Sequence, residues 1–140
     1  MSGGWLMLTA AMLQTAVVPM APVRSLDKGA LSDVSATRQV TISDRESWAG
    51  LWKAHASTRP LPDVDFTREM VAGVFMGTRP TAGFAVEIAG YRDDGGTLVV
   101  MYRETAPPPG AISAQIIISP YHLVAIPKRS GTVTFERMKS

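Results

Sequence analysis

Two histidines, His55 and His122, are the side chains of this sequence best placed to move a proton near neutral pH, and no cysteine is present to supply a thiolate. His55 follows Trp48, Leu51 and Trp52 at the i, i+3, i+4, i+7 spacing of one helix face. That position suits a hydrogen-bonded histidine against a core better than a ligand or a base. His122 alternates with Tyr121 inside an apolar run. Neither histidine has a second His, a Cys or a paired carboxylate at ligand spacing, so no metal and no cofactor are expected. A Ser-His-Asp arrangement stays open, because its members can be remote in sequence, although no G-x-S-x-G elbow occurs. Catalysis would require His55 or His122 beside a carboxylate and a hydroxyl in one pocket. The expectation is a protein that is not an enzyme.

Other candidate chemistry resolves into local structure. Asp63 and Asp65 flank Val64 with no third oxygen-rich partner nearby, which suits solvation or capping rather than calcium. Gly73, Gly77 and Gly83 do not make a phosphate cradle, since a P-loop needs Gly-Lys-Ser/Thr opening a helix and here a strand follows. Tyr91 and Tyr102 fit a role in the sheet.

What is left is the segment between two apolar stretches in "GVFMGTRPTAGFAVEI", residues 73 to 88. Pro80 fixes one backbone angle and biases Arg79 toward an extended shape, while Gly83 allows a sharp return into the next strand. An ordered loop is expected, with Thr78, Arg79, Pro80, Thr81, Gly83 and Phe84 as the candidate partner-binding residues. Arginine is a residue type enriched at binding hot spots. The plain alternative is a strand connection whose arginine is solvated or ion-paired.

The elements that hold this loop can be read from periodicity. "RQVTI", residues 38 to 42, suits a short first strand, and Ser43-Asp44-Arg45-Glu46 offers a capping box for a helix running to about Ala56. So short a helix is marginal alone and must lie on something. Met70 to Met76 is apolar on both faces, with Met70, Ala72, Val74 and Met76 on one side and Val71, Gly73 and Phe75 on the other, as in a central strand. Phe84, Val86 and Ile88 alternate into "RDDGG", and Thr97 to Glu104 returns as a hairpin. A three-residue loop, Asp93-Asp94-Gly95, would set Ile88 opposite Val100 and Val86 opposite Tyr102, with Glu87 diagonal to Arg103. "TAPPPGAIS" cannot remain in a ladder and reads as a crossing connection. "AQIIIS", "YHLVAI" and "TVTFER" read as further strands. The sum is an α+β fold, one N-terminal amphipathic helix packed on a mainly antiparallel sheet of about six or seven strands. Residues 37–140 form its single domain.

Charge and composition narrow the partners. A formal net charge of +2 is carried by scattered residues such as Lys53, Arg68, Arg92 and Lys128, each interleaved with acids or apolar residues. A phosphate footprint needs clustered charge, so nucleic acid is not an expected partner. Residues 1–36 read as a signal-like apolar leader and linker. Trp5 to Val18 is an apolar run of about fourteen residues, within signal-peptide range and short of the roughly twenty that span a bilayer, so no stable membrane span is expected. No Lys or Arg precedes Arg24, which departs from the usual signal pattern. The expected location is exported, periplasmic or extracellular, and cytoplasmic if that segment is not a signal.

The motifs Trp48-x-x-Leu51-Trp52-x-x-His55, "PDVDF", "EMVAGVFMGTRPTAGFAVEI", "LVVMYRETAPPPG" and "PYHLVAIPK" occur in that order. Together they resemble the C-terminal domain of the PrcB family of bacterial protease-complex subunits, over about Arg38 to Phe135. The resemblance implies a non-catalytic, exported accessory protein that assists assembly or stability of a secreted or envelope protein, with a secreted protease as its protein partner. Members often have a second glycine where Ala82 stands, and envelope-attached members carry a lipid-modified cysteine that this sequence lacks. Arg79 to Phe84 is also similar to the Pro-Thr-Thr-Gly-Tyr/Phe loop of chagasin-type protease inhibitors, with Ala82 in place of a threonine. That likeness implies an alternative, an inhibitor-like module that lays the 78–84 loop in a protease cleft.

Overall fold

The computed structural model describes residues 19–139, so the apolar run Trp5 to Val18 lies outside the described residues. The elements in chain order are β1 (Arg24–Gly29), β2 (Arg38–Ile42), α1 (Arg45–Ala56), β3 (Glu69–Phe75), β4 (Ala85–Asp94), β5 (Thr97–Thr105), β6 (Tyr121–Pro127) and β7 (Val133–Arg137). They form two sheets. One has four antiparallel strands in the order β1-β6-β3-β2, and the other has three in the order β4-β5-β7 with β7 parallel to β5.

The expectation of an α+β fold with one helix on one sheet of about six or seven strands is therefore corrected. Among the described residues the chain is mostly β, with one short helix and two separate sheets. The reason lies in β3 and β6. Val71 and Phe75 of β3, with Tyr121 and Leu123 of β6, point to the face covered by Trp48, Leu51, Trp52 and Ala56 of α1. Met70, Ala72, Val74 and Met76, with Val124 and Ile126, point the other way and meet Val86, Ile88, Leu98 and Val100 of β4 and β5. A strand apolar on both faces needs cover on both, and one helix covers only one. The β4–β5 hairpin is the cover for the second face, so it stacks on the first sheet instead of extending it.

Three local expectations also change. The helix starts one residue late, because Asp44 and not Ser43 is the N-cap: its Oδ1 accepts from the Ser47 N–H at 2.8 Å and its Oδ2 from the Ser47 hydroxyl at 2.9 Å. The hairpin turns on Gly95-Gly96, with φ of 57° and 91°, a two-residue turn whose positive angles only glycine takes without strain. Asp94 faces Thr97, and a bulge between Ile88 and Gly90 then sets Ile88 opposite Tyr102 and Val86 opposite Glu104. That one extra residue keeps Val86 and Ile88 on the core face although the turn is shorter than expected. Finally, "AQIIIS" forms no strand and is held by the isolated bridges Arg79–Ile118 and Leu31–Ser119 and by the Ala82 N–H bond to the Ala114 carbonyl.

The stretch 21–36 read as linker contains β1, which pairs with β6. Its register shifts between Ser25 and Asp27, and Leu26 packs against the helix-side core while Asp27 bonds to His55 on that same side. The bulge is what turns two successive side chains to one face.

Candidate functional site

The 78–84 loop is tied down by its backbone. Arg79 N–H donates to the Ile118 carbonyl at 2.7 Å, and Ile118 N–H returns the bond to the Arg79 carbonyl at 2.9 Å. Thr78 N–H donates to Ser35 C=O and Ala82 N–H to Ala114 C=O, both at 3.0 Å. Gly83 has φ of 99°, and a Cβ there would lie 2.8 Å from Pro107 Cγ, so the return turn both needs a left-handed residue and fits under the proline connection. The guanidinium carbon of Arg79 sits 5.5 Å from the centre of the Phe84 ring, while Arg79 Nε is buried with no hydrogen-bond partner. Thr78, Pro80 and Gly83 are exposed; Arg79, Thr81 and Phe84 are partly so. The structure thus brings all six expected residues onto one ordered ledge beside the segment 112–118.

Sequence reasoning missed what that neighbouring segment presents. Ile112, Ile116 and Ile117 are exposed, with Ile117 at 73% and Ile112 fully so. The signal was available: a run of isoleucines directly after a proline-rich connection, too short and too proline-bounded to enter a ladder. Three large apolar side chains thus face solvent in the segment that pairs with the loop.

The histidines are elsewhere, on opposite faces of the four-stranded sheet. His55 has no exposed side-chain surface. Its Nε2–H donates to Asp27 Oδ2 at 2.9 Å, and in the neutral ring Nδ1 accepts from the Ser32 hydroxyl at 2.7 Å. Arg59 grips the same carboxylate with two bonds, at 2.7 and 3.1 Å, and reaches the Tyr121 hydroxyl at 3.3 Å. Burial alone would raise the Asp27 carboxyl, but bonds from Arg59, His55 and Tyr121 outweigh it and hold the group below its usual range. The bond to Asp27 raises the Arg59 guanidinium, and burial pushes the Tyr121 phenol up.

Serine, histidine and aspartate are therefore in a hydrogen-bonded chain, the constellation that nucleophilic catalysis would use. Access is what it lacks. The ring is packed edge-on against Trp52, Phe75 and Tyr121, with centroids 5.1, 5.7 and 4.2 Å away, and Ser32 Oγ already accepts from the Val34 N–H. The arrangement ties β1, α1 and β6 together.

His122 faces the second sheet. Its Nδ1 accepts from the Ile88 N–H at 2.8 Å, which leaves the ring proton on Nε2 to donate to Ser25 Oγ at 2.9 Å. Burial, and then the charge of Lys28, lowers His122 to about 4. Asp65, one of the paired carboxylates of the sequence, accepts from the N–H and hydroxyl of Thr67 and caps a turn. Among the described residues no group of His, Cys, Asp and Glu could hold a metal ion. No described helix is long and apolar enough to cross a membrane.

Residues 70–127 match the family model described as PrcB C-terminal. The match supports the PrcB C-terminal domain family. The matched segment runs from β3 through the 78–84 loop, the β4–β5 hairpin and the isoleucine-bearing connection to the end of β6, so the whole ledge lies inside it. β1, β2, α1 and β7 lie outside. No curated protein and no solved structure matches the chain.

Proposed function

We propose that this chain is a non-catalytic accessory domain of an exported protease complex, and that it contacts its protein partner through the 78–84 loop and the adjoining 112–118 segment. The observation that carries the reading is the pairing of an ordered loop with uncovered isoleucines: the two-way Arg79–Ile118 bridge holds Ile116 and Ile117 against solvent beside the loop. Apolar side chains that a fold fixes in water are costly unless a partner covers them. The PrcB match is what favours a protease-complex component as that partner.

The inhibitor-like alternative has less support. Thr78, Arg79 and Ala82 have spent their backbone N–H groups inside the domain, and Pro80 has none, which leaves little of the loop's edge to pair with a cleft. Titration against papain-like and subtilisin-like proteases is expected to give no inhibition at micromolar protein.

The accessory reading is tested by installing a photo-crosslinker at Ile117 in the full chain, irradiating the native host, and identifying the adduct by mass spectrometry. An exported protease is the expected adduct, with the yield falling about tenfold in Ile112→Glu, as for loss of a hot-spot contact. Recovery of the chain only as an uncrosslinked monomer sinks the proposal. Export carries its own check: secreted protein should begin between about residues 18 and 25, where a signal-peptide cut would fall, and an intact Met1 on cytosolic protein refutes it.

A further inference from the structure

On the far side of the four-stranded sheet, β2 is an edge strand, and its backbone is only half used. Met76 N–H donates to the Pro120 carbonyl, so the even-numbered residues of β3 direct their backbone groups toward β6 and the odd-numbered ones toward β2. Val71, Gly73 and Phe75 accordingly satisfy Ile42, Val40 and Arg38. The N–H and C=O of Gln39 and Thr41 are turned outward, and no described backbone group meets them.

Next to that edge runs a groove of about 510 Å³. All five residues of β2 line it on one side, so it follows the strand's edge and not one of its faces. Ser47, Gly50, Leu51 and Ala54 of α1 form the other wall. Three of those four are small, and a Cβ on Gly50 would meet nothing within 4 Å. Glycine in the middle of a helix is a poor helix former, and here no close packing demands it. At the Ala54 end stands Arg38, exposed and with no described carboxylate in ion-pair range.

We propose that this groove is a β-augmentation site: an extended peptide segment of a partner protein adds a strand to the β2 edge, pairs with the free backbone of Gln39 and Thr41, and sets an acidic residue against Arg38. The unpaired backbone groups specify the occupant's backbone, since only another extended chain offers donors and acceptors at matching spacing. The small helix wall specifies its room, because side chains of the added strand that point to the helix need the volume which Gly50 and Ala54 leave. The uncompensated guanidinium specifies its charge. None of these residues belongs to the 78–84 loop, so the two surfaces stand or fall separately.

The test is a selection of displayed random decapeptides on the full chain, followed by affinity measurement with the selected peptides in free form. Enriched peptides are expected to carry an Asp or Glu near one end. Their affinity should fall about tenfold or more, as a blocked strand-addition site predicts, in Gly50→Leu and on N-methylation of alternate peptide residues. Arg38→Glu should weaken them further, whereas Arg79→Ala should leave them unchanged. Gly50→Leu is expected to unfold at no lower a temperature than the parent, because leucine is the better helix former, so loss of binding in it reports the groove and not the fold. Failure to enrich any peptide, or peptides whose affinity Gly50→Leu leaves intact, overturns the proposal.

Discussion

The two faces of the four-stranded sheet each bury a histidine, and each histidine bonds to a serine, yet the two differ in what surrounds the ring. On the helix-covered face, His55 has Asp27 at 2.9 Å, with Arg59 neutralising the same carboxylate. On the sheet-covered face, His122 has a backbone N–H on one nitrogen and a hydroxyl on the other, with no carboxylate bonded to it. The Ile88 N–H needs an acceptor, so protonation of His122 at Nδ1 breaks the bond between β6 and the edge of β4. A buried imidazole thus bridges a carboxylate and a hydroxyl on one face and is a neutral latch between a backbone N–H and a hydroxyl on the other, and only its bonding partners decide which.

The largest expected break in the comparison comes from the helix side. Trp52 is 5% exposed and its indole N–H donates to the Arg59 carbonyl at 2.8 Å. Trp52→Ala should cost ~3 to 5 kcal/mol, the range for truncating a buried aromatic, and urea unfolding measures it. The same truncation removes one wall of the His55 site.

Asp27→Ala leaves the buried His55 Nε2–H without its acceptor while the exposed Arg59 turns to solvent, and is expected to cost about 1 to 3 kcal/mol, the range for stranding one buried donor. Asp27→Asn, which keeps the shape and one acceptor, should lose less. Equal losses in the two variants would show that charge, and not hydrogen bonding, is what Asp27 supplies.

The sheet side is sharpened by pH. In the unfolded chain a histidine titrates near its ordinary value of 6.5, whereas His122 in the fold titrates at about 4. Between those values the unfolded chain binds a proton that the fold excludes. Stability contributed by neutral His122 is therefore complete above about pH 6.5, falls as pH drops, and is gone below about 4. A shift of this size corresponds to about 3 kcal/mol. Below that window the lowered carboxyl of Asp27 begins to protonate and removes further stability. Chemical denaturation at pH 7, 5.5 and 4.5 should show the first loss, and His122→Gln should flatten it. A slope that survives this substitution assigns the effect to other groups.

The smallest effect is expected at the loop. Arg79→Ala removes an Nε that has no partner and leaves both backbone bonds to Ile118 in place, so stability should stay within ~0.5 kcal/mol. A loss approaching that of Trp52→Ala would make the arginine a structural brace and remove it from the contact surface.

Much of this molecule is written in local pattern. The i, i+3, i+4, i+7 face of Trp48 to His55, the doubly apolar run of β3, the alternation of Val86 and Ile88 and the proline block after Thr105 each state their conformation within a few residues, because helix and strand periods are properties of the backbone itself. The ledge was legible as a loop, since Pro80 and Gly83 restrict the chain whatever it packs against. Tertiary structure decided the rest. "RSLDKG" has no strand pattern, and becomes β1 because the edge of β6 offers it backbone partners. The division into two sheets follows from the need to cover both faces of β3 and β6, a demand that arises only once those strands are paired. The bulge after Ile88, the Ser32–His55–Asp27 chain and the His122 bond to Ile88 join residues up to 97 positions apart or depend on a one-residue register choice. Such contacts carry no local signature, because the free energy that selects them comes from burial and satisfied hydrogen bonds between segments the sequence keeps far apart.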